Sequence, residues 1–173
     1  MLSGKQPHVR DLSPSNEHYL RAVWSVRNQR GYARLTDVAR ELGVAPATLS
    51  VALRGLEARG LILHDDQRFL LLTPSGERAA REVHHRYSVL RAFLGEVLKV
   101  DAAQAEREAC LIEHDISATT TERLVDLLRL LREDPEMRAL FQQRFDHYHR
   151  SCAPGAECTT CALGCLTPGP AAS

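Results

Sequence analysis

TDVARELGVAPATLSVALRGLEARG, residues 36–60, is the stretch on which the reading of this chain turns. Thr36 is a candidate N-cap for a short helix over 37–42 that Gly43 stops, and Pro46 opens a second helix running to Gly60. Two helices joined by a tight glycine-containing turn form the helix-turn-helix pattern. On the second helix Leu49, Leu53 and Leu56 recur at i, i+4 and i+7 and face a core, which leaves Ala47, Thr48, Ser50, Val51 and Arg54 outward. That outer face is slim.

Working outward, Ser13-Pro14 caps and opens an earlier helix whose apolar residues Tyr19, Leu20, Val23, Trp24 and Val26 keep helical spacing until Gly31. Downstream, 61–64 and 69–72 are β-prone runs around the polar Asp65, Asp66, Gln67 and Arg68, which predicts a hairpin, or wing. A slim helix can lie deep in the major groove of double-stranded DNA. Thr48 and Ser50 would act there as donors or acceptors, Ala47 and Val51 would meet thymine methyls, and Arg54 would reach phosphate or guanine. Arg34, Ala45 and Pro46 complete the candidate DNA face, with Arg68 at the wing tip. Net charge over the whole chain is zero, yet residues 1–75 hold ten basic against seven acidic side chains, a net +3. The basic excess therefore sits on the candidate reading half.

Thr73-Pro74 predicts a long helix to about Leu98, Asp101 caps another to about His114, and Ser117 starts a third carrying Leu124, Leu127, Leu128 and Leu131. Helices this apolar after a small winged domain suggest a homodimer layer, which would set two reading heads about one DNA turn apart. The expected architecture is mainly α. A winged helix-turn-helix domain with a small β-hairpin (1–73) precedes a helical metal-binding and dimerisation domain (74–150) and a cysteine-rich tail (151–173). Cys110, Glu113 and His114 stand at i, i+3 and i+4 and project from one helical face, a plausible divalent-metal set. Taken alone, a small buried cysteine beside a surface Glu-His pair is the better explanation of them.

In the tail, Cys152, Cys158, Cys161 and Cys165 have the spacing C-x5-C-x2-C-x3-C. In a reducing compartment such a set holds metal more readily than disulfides, as a tetrathiolate zinc site or an iron–sulfur cluster, with a metal-free thiol-rich tail as the plain alternative. The N-terminus has no apolar signal core and no stretch is long enough to span a bilayer, so a cytoplasmic protein without membrane contact is expected. No glycine-rich phosphate loop or nucleophile-base pairing suggests an enzyme.

Four strings carry a resemblance. They are Ser15-Asn16-Glu17-His18-Tyr19-Leu20-Arg21, Gly43-Val44-Ala45-Pro46-Ala47-Thr48-Leu49-Ser50, Leu70-Leu71-Leu72-Thr73-Pro74-Ser75-Gly76 and Glu108-Ala109-Cys110-Leu111-Ile112-Glu113-His114. In this order they resemble the diphtheria-toxin-repressor family of metal-dependent regulators. The resemblance implies that the regulatory ion is held by His18, Cys110, Glu113 and His114, with histidine replacing the methionine common in the iron branch. That N2SO set suits Fe2+, and zinc or cobalt would also bind. Arg21 stands where the manganese branch has a carboxylate, which opposes a two-manganese site. The family's ancillary site maps to Tyr87, Arg91 and Glu106, of which only Glu106 can ligate, so that site is expected to be absent. The iron assigned to the first site tips the tail toward an iron–sulfur cluster over Zn2+. Val51 replaces a longer polar residue of the recognition helix, leaving the operator open, and the SH3-like third domain of larger members is not found. The function implied is iron-responsive repression of iron uptake or homeostasis genes. A zinc- or manganese-dependent regulator of the same fold, or a winged-helix iron-handling adaptor that does not read DNA, are the alternatives.

Overall fold

The computed structural model describes residues 12–151. Within them the order is α1 (Pro14–Arg30), α2 (Leu35–Leu42), α3 (Pro46–Ala58), β1 (Ile62–His64), β2 (Leu70–Leu72), α4 (Pro74–Ala92), α5 (Ala102–Ile112), α6 (Ala118–Glu133) and α7 (Pro135–Ser151). No helix among the described residues is long and apolar enough to cross a membrane. The chain divides by compactness within α6, into a unit through Val125 and another from Asp126.

In the first unit, α1 starts where the Ser13 side chain accepts the Asn16 amide and ends at Gly31, whose φ of 81° only glycine adopts freely. Helix α2 departs from expectation. It begins at Leu35, and the carbonyl of Arg34, not the Thr36 hydroxyl, receives the Asp37 and Val38 amides, each at 3.0 Å. An isolated antiparallel bridge to Phe69 holds Arg34 in extended backbone, so the helix can start only after it. Helix α3 ends at Ala58, slightly before Gly60, with Leu49, Leu53 and Leu56 buried as their spacing requires. They join Leu20, Val23 and Val26 of α1, Val38 of α2 and Leu61, Ile62 and Leu70 of the hairpin in one core. Strands β1 and β2 pair antiparallel, with Leu63 opposite Leu71.

Helix α4 begins against the wing. Thr73 donates its hydroxyl to the Gly60 carbonyl at 2.7 Å and accepts the Gly76 amide at 3.0 Å. Its α-helical part stops at Ala92, short of the expected Leu98, and Phe93–Val97 continues as a π-helical stretch closed by the Leu98 amide on the Phe93 carbonyl at 3.2 Å. The wider turn keeps both Leu94 and Val97 buried. Asp101 caps α5 through two amides, Ala103 and Gln104, and α5 ends at Ile112. A second core unites Tyr87, Leu90 and Leu94 with Ala105 and Ala109, and Ile116 and Leu124 pack against it. In the unit from Asp126, Asp134 accepts the Met137 amide at the start of α7, and Phe141 and Phe145 stack at 5.8 Å between ring centroids.

Candidate metal centre

The candidate site lies where the first turns of α1 come close to the end of α5. Helix α1 carries Glu17, His18 and Arg21 on adjacent turns, and the last turn of α5 and its cap carry Cys110, Glu113 and His114. Helix α4 packs against both and adds Arg86 and Tyr87. One ligand atom each from His18, Cys110 and Glu113 lie within 4.8 Å of one another, with His18 Nδ1 3.3 Å from Cys110 Sγ. His114 stands at the edge of this group, its Nε2 3.7 Å from Glu113 Oε1.

Glu113 is the centre of the electrostatics. Its side chain is 0% exposed, and neither carboxylate oxygen has a hydrogen-bond partner, although Arg21 Nε lies 3.3 Å from Oε1 without the alignment of a bond. Burial pushes its pKa up to about 7, against the downward pull of Arg21 and Arg86. Burial likewise raises the Cys110 thiol, with Arg21 opposing and Glu113 reinforcing. Burial, Arg21 and His114 all lower His18, which favours the neutral imidazole with a free lone pair. A buried carboxylate without an aligned hydrogen bond, beside a thiol and two imidazoles, is a donor set that a divalent ion fits.

A layer behind these donors orients them. Glu17, 5% exposed, takes Arg86 Nη2 at 2.9 Å and His114 Nδ1 at 2.8 Å, which turns His114 Nε2 toward Glu113. Arg86 Nε also donates to the Glu113 backbone carbonyl at 2.8 Å. Such carboxylate–histidine pairs fix ring orientation at metal sites. Sequence reasoning did not single out Glu17 or Arg86. The available signal was phase, since Arg86 shares the buried face of α4 with Val83, Tyr87 and Leu90.

At the positions of the family's ancillary site, the Tyr87 hydroxyl donates to Glu106 at 3.1 Å, and the Arg21 guanidinium lies over the Tyr87 ring at 4.0 Å. The other candidate residues lie on the winged domain. Arg34, Ala45, Pro46, Ala47, Thr48, Val51, Arg54 and Arg68 are exposed, Val51 at 63%, and Ser50 is half-buried. Arg34 rests over the Phe69 ring at 5.0 Å, tying the start of α2 to the wing. Arg68, with φ of 61°, sits in the wing turn, where Asp65 Oδ1 accepts the Gln67 and Phe69 amides. Cys152, Cys158, Cys161 and Cys165 lie outside the described residues.

Residues 11–70 match the family profile described as the iron dependent repressor N-terminal DNA binding domain, and residues 73–139 match the iron dependent repressor metal binding and dimerisation domain. The HTH-type transcriptional regulator MntR of Lysinibacillus sphaericus is 29% identical over 125 residues, covering 72% of this chain and 89% of that protein. MntR of Listeria monocytogenes is 28% identical over 124 residues, covering 72% and 87%. Among solved structures, the manganese regulator SloR superposes with a TM-score of 0.61 at 25% identity, covering 68% of this chain and 55% of that one. A manganese-dependent transcriptional repressor in complex with manganese gives 0.58 at 28% identity, covering 65% and 52%. The chain thus spans about half the length of these solved regulators. With both domain profiles matched in order and the winged-helix fold shared with these structures, the chain belongs to the diphtheria-toxin-repressor family of metal-dependent, DNA-binding transcriptional regulators.

Proposed function

We propose that this chain is an iron-responsive repressor of iron uptake or homeostasis genes, with Fe2+ held by His18, Cys110, Glu113 and His114. The observation that carries this reading is the convergence of His18, Cys110 and Glu113 within 4.8 Å around a carboxylate that is fully buried and unbonded. Bound there, a divalent ion supplies positive charge to Glu113 and a link between α1 of the DNA-binding domain and α5. His18 brings its lone pair from the reading half, while Cys110, Glu113 and His114 bring theirs from the pairing half. The four donors can close only in one relative setting of those helices, so metal binding favours that setting by its differential affinity. Two copies paired through the helical domain then hold their α3 helices at a fixed spacing. Leu111 and Ile112 at the end of α5 are 74% and 43% exposed, which offers apolar surface to a second copy. In the groove, Ala45, Pro46, Ala47, Thr48, Ser50 and Val51 line the base edges, and Arg34, Arg54 and Arg68 reach phosphates.

Manganese is the second reading, favoured by the similar solved structures described as manganese regulators. The thiol of Cys110 argues for iron, since thiolate ligands select softer ions than Mn2+. Anaerobic titration of duplex-DNA binding with Fe2+, Mn2+ and Zn2+, on DNA selected with the same protein, decides between them. Fe2+ is expected to act at the lowest free concentration, and His18→Ala and Cys110→Ala are each expected to abolish the metal response. Metal-dependent binding that survives both changes refutes the site. Duplex binding that shows no sequence preference and disappears at raised salt, with or without metal, would instead favour the adaptor reading. For the tail we propose an iron–sulfur cluster on Cys152, Cys158, Cys161 and Cys165. Anaerobically purified protein should then carry visible absorbance that substitution of these four cysteines removes, and bound zinc without colour would make it a zinc site.

A further inference from the structure

The three donors that converge most closely already face a cation, and it belongs to the protein. Arg21 leaves α1 one turn beyond His18 and points into the site with a side chain only 14% exposed. Its Nη2 lies 3.2 Å from His18 Nδ1 and 3.4 Å from Cys110 Sγ, and its Nε lies 3.3 Å from Glu113 Oε1. A guanidinium only donates, so it faces the same lone pairs that a metal needs. The fit is loose. Neither Glu113 oxygen gains an aligned hydrogen bond from it, and the donors spread to 4.8 Å. Bonds of about 2.0–2.3 Å to a four-coordinate ion would bring donors closer together than that. Arg21 therefore balances the charge of the site without locking it.

We propose that Arg21 is a resident competitor cation that sets the metal threshold of this regulator. This rests on His18, Cys110, Glu113 and His114 being the regulatory site. Metal entry requires the guanidinium to give up all three donors. The Tyr87 ring, 4.0 Å from its Cζ, already holds the guanidinium by a cation–π contact that it can keep while its donors pass to a metal. A positive charge held that close lowers the affinity for a divalent ion and bars a second ion from the neighbouring space, so the chain answers only when metal is plentiful. A cleft of about 430 Å³ lined by Tyr19, Leu42, Val44 and Leu111 together with His18 and Cys110 opens beside the donors. It gives an ion a path to the donors, with Arg21 in place among them.

The test is anaerobic Co2+ titration of the full chain with Cys152, Cys158, Cys161 and Cys165 each changed to serine, so that Cys110 is its one thiol and the thiolate-to-cobalt absorption reports this site, together with thermal melting of the metal-free protein. Arg21→Leu, which removes the charge without adding a donor, should bind Co2+ at least about tenfold more tightly and melt at a lower temperature without metal. Arg21→Lys, which keeps the charge but loses the fork, should fall between it and the unaltered chain. Unchanged or weaker Co2+ binding in both variants overturns the inference. Cys110→Ser separates this failure from a wrong site. If the absorption disappears in Cys110→Ser while Arg21→Leu binds no more tightly, the donors stand and the competitor falls. If the absorption survives Cys110→Ser, both fall.

Discussion

At the scale of single residues, Glu113 ties the chemistry of the site to the stability of the fold. Its pKa is raised from 4.5 to about 7 chiefly by burial, so between these values the folded, metal-free protein holds a proton that the unfolded chain has released. Stability of the metal-free protein should therefore fall as pH rises from about 4.5 to about 7. Urea unfolding across that window checks this, with Glu113→Gln as the reference: the variant should lack the part of the slope that Glu113 contributes. An identical slope in both proteins would contradict it. Arg86 is the second residue on which the site depends. It holds the buried Glu17 at 2.9 Å and the Glu113 carbonyl at 2.8 Å. Arg86→Met leaves a buried carboxylate with only His114 beside it, and an unfolding free energy lower by about 3–5 kcal/mol is expected from urea titration.

At the scale of elements, the junction of wing and α4 leaves no room for a side chain at Gly76. A Cβ on Gly76 would sit 1.9 Å from the Leu61 carbonyl oxygen, so Gly76→Ala must push the helix off the wing. Gly55, in the middle of α3, meets nothing within 4 Å, and there alanine should stabilise by about 0.5–1 kcal/mol. Melting of the two variants should move in opposite directions. The same contrast between local and distant causes explains what was legible in the sequence. The caps at Ser13, Thr73 and Asp101 were readable because the bonding groups lie within three residues of each other. The start of α2 was not, because Arg34 is held extended by Phe69, far along the chain. The π-helical stretch leaves no mark in composition, and its residues read as one continuous helix. Cys110, Glu113 and His114 could be grouped by spacing on one helix, whereas His18 was reached only through resemblance, since the meeting of α1 with α5 is tertiary. Glu17 and Arg86 read as ordinary surface charges until their burial is seen.

At the scale of the whole molecule, one winged domain offers few base contacts, from a recognition face of small side chains and a handful of arginines. Its specificity must come from two copies reading two half-sites, because the second head binds at the effective concentration set by the first. Pairing is therefore a condition of function, and the exposed apolar pair at the end of α5 is the surface we assign to it. Ile112 supplies no donor to the metal site, so Ile112→Lys separates pairing from sensing. It should sediment as a monomer at concentrations where the unaltered chain is dimeric, keep the Co2+ absorption of Cys110 when the four tail cysteines are serine, and bind a two-half-site duplex at least about 100-fold more weakly. A variant that stays dimeric places the pairing face elsewhere on the helical domain. A monomer that still binds the duplex with full affinity would mean that a single head suffices, and the link from ion to α1, and from α1 to the spacing of two α3 helices, would have nothing to regulate.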